Sequence, residues 1–121
     1  MDKKILILDD DDDILEILSL LLTDNGYETQ TLSRGELVFD AIREFHPDLL
    51  LMDVMLAGID GRVICKHIKH TEETNRLPII LISGTHDLAS SLQENGAPND
   101  FVAKPFDMDY LMQKIKNQLC E

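Results

Sequence analysis

Short apolar runs alternate with amphipathic stripes along this chain, and that alternation limits the fold more than any other feature of the sequence. Lys4 to Leu8 is continuously apolar after its lysine and stops at acidic residues, the pattern of a strand buried on both faces. From there apolar residues recur at Ile14, Ile17, Leu18, Leu21 and Leu22, the spacing of an amphipathic helix. Asp12 or Asp13 can cap its start and Asn25-Gly26 its end. Tyr27 to Leu32 alternates polar and apolar side chains, as an edge strand would. Val38, Ala41, Ile42 and Phe45 form a second helical stripe, which ends before His46-Pro47 because proline disfavours helix in the residue preceding it. Asp48 to Met52 is another buried strand, ending at Asp53, and Val54 to Gly61 reads as a loop. A third helix, from about Arg62 to Lys69, turns Val63, Ile64 and Ile68 inward. Leu77 to Ile82 predicts a fourth strand ending at Ser83-Gly84, and Leu88, Ala89 and Leu92 mark a short helix. Phe101 to Ala103 is a brief fifth strand ending at Lys104-Pro105, and Met108, Leu111, Met112, Ile115 and Leu119 stripe a last helix.

Strict alternation of strand and helix implies an α/β fold, a (βα)5 doubly wound parallel sheet joined by right-handed crossovers. The flavodoxin-like strand order 2-1-3-4-5 fits best, because it puts the alternating strand on one edge and the brief one on the other. The whole chain, residues 1–121, is read as one domain, a size at which a core forms without disulfides or metals. Cys65 and Cys120 are far apart and form no metal-binding pair, and Cys65, His67 and His70 do not share one helix face. With 11 basic against 23 acidic residues the net charge is −12, which argues against direct binding to nucleic acid or anionic lipid. No run is long and apolar enough to span a membrane, and the expected location is the cytoplasm.

In a sheet of this order, ligands sit beyond the carboxyl ends of the strands, where the order reverses between the first and third. The first strand ends in Asp9-Asp10, the third in Asp53, the fourth in Ser83 and the fifth in Lys104. Three carboxylates gathered there repel one another unless a cation is present, and Mg²⁺ suits them because it takes a few hard oxygen ligands and keeps waters. A hydroxyl from Ser83 and an ammonium from Lys104 facing that site are what a phosphoryl group needs. One carboxylate can then serve as nucleophile; Asp53, alone on the central strand, is the choice, with Asp9 and Asp10 as metal ligands.

The segments Ile5-Leu6-Ile7-Leu8-Asp9-Asp10-Asp11, Asp48-Leu49-Leu50-Leu51-Met52-Asp53 with Gly58-Ile59-Asp60-Gly61, Ile80-Leu81-Ile82-Ser83-Gly84 and Phe101-Val102-Ala103-Lys104-Pro105-Phe106 together resemble the response-regulator receiver domain of two-component signalling over essentially the whole chain. The resemblance implies that a histidine kinase or histidine phosphotransfer protein donates its phosphoryl group to Asp53. It also implies Mg²⁺ held by Asp10, Asp53 and the backbone carbonyl of Met55, with Asp9 assisting through water. Ser83 and Lys104 would move toward the phosphoryl oxygens while Phe101 turns inward, altering the surface of the fifth strand and last helices for a downstream output protein or domain. A cis peptide at Lys104-Pro105 is implied as well, and phosphorylation-dependent dimerisation is left open.

Ala57 stands where the family usually has proline, and the loop from Gly96 to Phe101 is one residue longer than usual, which bears on loop geometry and partner choice. Met55 and Thr85 occupy positions where receivers vary and tune the attacking water; Met55 orients water poorly, so a persistent phosphoryl state is expected. Two rivals remain at this level. One is a small haloacid-dehalogenase-like phosphatase with Asp9 as nucleophile and Asp11 as acid/base, which would lack a cap domain and a late acidic pair. The other is a receiver-like scaffold that works without phosphorylation.

Overall fold

The computed structural model describes residues 2–56, 58–84, 96–104 and 106–120. The short helix expected around Leu88, together with Ala57, Thr85 and the bond to Pro105, lies outside them. The described elements run β1 (Lys4–Leu8), α1 (Asp12–Asp24), β2 (Glu28–Leu32), a 3-10 turn (Gly35–Leu37), α2 (Val38–Phe45), β3 (Leu49–Asp53), β4 (Met55–Leu56), β5 (Ile59–Asp60), α3 (Gly61–Lys69), β6 (Ile79–Ser83), β7 (Asp100–Ala103) and α4 (Met108–Leu119). Five strands form one parallel sheet in the order β2-β1-β3-β6-β7, which is the expected 2-1-3-4-5 arrangement.

The continuous apolar runs are explained by what covers the sheet. On one face Ile5, Ile7, Leu49, Leu51, Ile80, Ile82 and Val102 pack beneath α1 and α4. Their chain neighbours Leu6, Leu8, Leu50, Met52, Ile79 and Leu81 point the other way, beneath α2 and α3. Every position of β1 after Lys4, and all of β3 and β6, is therefore inside, while the edge strands β2 and β7 stay partly exposed. Each fully buried Leu or Ile contributes about 1.5–3 kcal/mol, so the three inner strands supply most of the driving force.

Several local expectations need correction. The side chain that caps α1 is Asp11, whose Oδ1 accepts from the N–H groups of Asp13 (2.9 Å) and Ile14 (3.4 Å), in place of Asp12 or Asp13. The inner face of α1 is Leu15, Leu18 and Leu22, with Ile14 and Leu21 partly buried, while Ile17 is exposed. Val63 likewise faces outward, because α3 starts at Gly61 and buries Ile64, Cys65 and Ile68. Met108 is also exposed, the buried stripe of α4 being Leu111, Met112, Ile115 and Leu119. The segment read as a loop after Asp53 contains a two-residue antiparallel ladder, Met55 opposite Asp60 and Leu56 opposite Ile59. The fourth strand starts at Ile79 because Pro78 has no N–H to give the ladder. At the end of α2, His46 takes a left-handed conformation (φ 53°) before Pro47, and the helix stops where expected.

Candidate functional site

Parallel strands deliver their last residues to one rim, and the order reversal between β1 and β3 opens a cleft there. Asp9 and Asp10 follow β1, Asp53 and Ser83 are the last residues of β3 and β6, and Lys104 follows β7. Backbone bonds hold Asp9, the residue after Asp53, Ser83 and Lys104 in place: Asp9 N–H donates to the Leu32 carbonyl (3.1 Å), Val54 N–H to Ile82 (2.9 Å) and Lys104 N–H to Ser83 (2.8 Å). The acidic side chains of Asp9, Asp10 and Asp53 each offer a carboxylate oxygen within 4.8 Å of the others. Lys104 Nζ lies 3.3 Å from Asp53 Oδ1 and 3.7 Å from Asp9 Oδ2.

These groups differ sharply in environment. Asp9 and Asp53 are buried at 1% and 4% exposure, Ser83 is completely enclosed, and Asp10 is open to solvent. Asp9 Oδ1 accepts from the Asp11 N–H (2.9 Å), whereas Oδ2, also buried, has no hydrogen-bond partner among the described residues. Burial pushes the Asp9 carboxyl up from 3.8 to about 6; the Asp11 N–H and the Lys104 charge pull it back, while Asp53 and Asp10 push it further up. A buried carboxylate oxygen without a donor, beside two more carboxylates, is a cost in free energy that a bound cation removes. Three hard oxygen donors with room on the solvent side fit Mg²⁺ better than a softer ion. Asp9, Asp10 and Asp53 are the side chains that could hold it; Met55 lies two residues beyond Asp53 on β4, with its side chain exposed.

Each strand-end residue singled out from the sequence thus arrives at the same rim, and Asp9, Asp10, Asp53 and Lys104 meet through their side chains. Phe101 is half-buried and packs against the layer beneath α2 and α3. Cys65 is buried while His67 and His70 are exposed, so those three make no metal site. Gly61, which the sequence offers only as a loop residue and part of the family segment, has a structural role at the site. Its N–H donates to the Val54 carbonyl (2.8 Å), and a Cβ there would collide with the Asp53 carbonyl oxygen and crowd Val54 Cα. The signal was present in the sequence as a glycine directly after the capping Asp60, whose side chain accepts from the Arg62 N–H at 2.8 Å.

Residues 5–116 match the family described as the response regulator receiver domain. AfsQ1, a transcriptional regulatory protein of Streptomyces coelicolor, is 39% identical over 114 residues, covering 93% of this chain and 49% of the relative. The chain spans about half the length of the curated relatives it matches, several of which are named as DNA-binding response regulators. Among solved structures, a candidate response regulator of Chloroflexus aurantiacus superposes at a TM-score of 0.90, with 35% identity and all of both chains covered. The response regulator TrrA of Thermotoga maritima, solved with Mg²⁺-BeF, superposes at 0.84 with 31% identity over 97% of this chain and 99% of TrrA.

Proposed function

We propose that this chain, which belongs to the response regulator receiver domain family, accepts a phosphoryl group on Asp53 from a histidine kinase or histidine phosphotransfer protein and thereby changes the partner it binds. The observation that carries this reading is the Lys104 ammonium 3.3 Å from the buried Asp53 carboxylate, on a rim that already holds Asp9 and Asp10. Residues 1–121 act as one receiver unit, and the partner is an output protein or an output domain.

In the transfer, an Asp53 oxygen attacks phosphorus, an O–P bond forms as the N–P bond of the donor histidine breaks, and the imidazole leaves with its electron pair. Asp10, Asp53 and the Met55 carbonyl would hold Mg²⁺, with Asp9 assisting through water, and the ion would supply charge that neutralises the incoming phosphoryl oxygens. Lys104 supplies a fixed positive charge to the same oxygens and Ser83 a hydroxyl donor, both pre-positioned by the ladder that joins them. Because Lys104 N–H and the Ser83 carbonyl are bonded (2.8 Å), movement of Ser83 and Lys104 toward the phosphoryl group is passed to β7, where Phe101 lies. The chain catalyses its own phosphorylation and slow dephosphorylation, and no external product. The exposed Met55 side chain gives an attacking water no hydrogen-bond partner, so the phosphorylated protein is expected to lose phosphate slowly, and rapid loss from the isolated chain would contradict that role.

The test is transfer of labelled phosphate from a histidine-phosphorylated donor. Label on the wild type and none on Asp53→Asn is expected. Label retained by Asp53→Asn would overturn the assignment, and steady phosphate release from an ester that depends on Asp9 would replace it with a phosphatase.

A further inference from the structure

Lys104 can serve Asp53 only if β7 pairs with β6 in one register, yet the apolar side chains of β7 specify that register weakly. Phe101 packs toward the layer beneath α2 and α3, while Val102 belongs to the opposite layer. A slip of one residue would exchange these two apolar side chains between two apolar layers, opposed chiefly by the partly exposed Asp100–Lys114 ion pair (3.0 Å). The same slip would carry Lys104 away from the carboxylates.

The register is fixed instead at the end of β7 remote from the site. Asn99 N–H donates to the Ile79 carbonyl (2.8 Å), and Asn99 Oδ1 accepts from the Ile79 N–H (2.9 Å). The same oxygen accepts from Lys69 Nζ (2.6 Å), which also donates to the Leu77 carbonyl (2.8 Å). One amide oxygen therefore ties α3, the start of β6 and the start of β7 together. Lys69 is half-buried, and among the described residues its acceptors are these two neutral oxygens, with no carboxylate to repay its desolvation. Burial accordingly lowers its pKa. Pro98, just before Asn99, is buried, and the Gly96 carbonyl accepts from Cys65 Sγ of α3 (3.6 Å), so the whole approach to β7 is held against that helix.

We propose that Asn99 and Lys69 are positioning residues for Lys104, pinning the register of β7 from the far end of the strand so that the ammonium arrives opposite Asp9 and Asp53. The consequence for phosphorylation rests on the role given to Lys104 above; the pin itself can be read without it.

Amide hydrogen exchange and the rate of modification by acetyl phosphate at varied Mg²⁺ are to be measured on Asn99→Ala, Lys69→Met and Asn99→Asp, the last of which keeps the acceptor oxygen. Asn99→Ala and Lys69→Met should speed exchange at the Val102 and Lys104 amides by about tenfold while β1 and β3 change little. Their phosphorylation should slow by about tenfold with the half-saturating Mg²⁺ concentration unchanged, since the carboxylates sit on β1 and β3. Asn99→Asp should restore both. Unchanged exchange in β7, equal acceleration across the whole sheet, or no rescue by Asn99→Asp would overturn the proposal. If Lys104→Ala is itself phosphorylated at the wild-type rate, the fault lies in the role of Lys104, and the exchange data judge the pin alone.

Discussion

Asp9 is the residue whose environment is least comfortable without a cation. Its carboxyl is raised from 3.8 to about 6, chiefly by burial, so the protonated form is the one the fold prefers. The sign follows directly: this stabilising contribution is fully present below about pH 4 and is lost as the pH rises through 6, the opposite of a salt-bridged aspartate. Ionised Asp9 then costs the fold up to about 3 kcal/mol at neutral pH. Asp9→Asn in a chelator is therefore expected to melt higher than wild type at neutral pH and at nearly the same temperature near pH 4. Added Mg²⁺ should stabilise wild type more than the variant. Equal melting temperatures at neutral pH would show that Lys104 alone offsets the buried charge. Gly61 makes the complementary case, since Gly61→Ala at an exposed helix start would gain up to about 1 kcal/mol of helix propensity. Here the added Cβ meets the Asp53 carbonyl, so a net loss in denaturant unfolding and a slower phosphorylation are expected instead.

At the scale of elements, the strands were more legible than the helix faces. A strand buried on both sides writes itself as a continuous apolar run, and β1 was read to the residue. Helix faces failed where apolar residues exceed the space beneath: α1 carries Ile14, Leu15, Ile17, Leu18, Leu20, Leu21 and Leu22, and periodicity alone cannot say that Leu15 lies inside while Ile17 is exposed. The β4–β5 ladder was missed because two residues per strand give no period to detect. Caps are local and testable. Asp107 caps α4 by accepting from the Asp109 N–H at 2.8 Å, and Asp107→Ala should cost about 1 kcal/mol in denaturant unfolding while leaving Mg²⁺ affinity unchanged. A change in Mg²⁺ affinity would mean that α4 is coupled to the acidic rim.

For the whole molecule, strand order converts four separated sequence segments into one cleft, and this is why the site residues could be named from their position at strand ends. The sequence could not show that Asp9 is buried with an orphaned oxygen while Asp10 is open, because burial depends on how β2 and β7 flank the cleft. Nor could it show that β7 is held by Asn99, which from sequence is one polar residue in a turn. The net charge of −12 suits a module whose site gathers a divalent cation, and no described helix is long and apolar enough to cross a membrane. Everything proposed for this module turns on Asp53 as the phosphoryl acceptor. Intact mass of the folded chain after incubation with Mg²⁺ and acetyl phosphate tests it most directly, wild type beside Asp53→Asn. One added phosphoryl group on the wild type and none on the variant is expected; equal addition to both, or none to either, would rule out Asp53 as the acceptor.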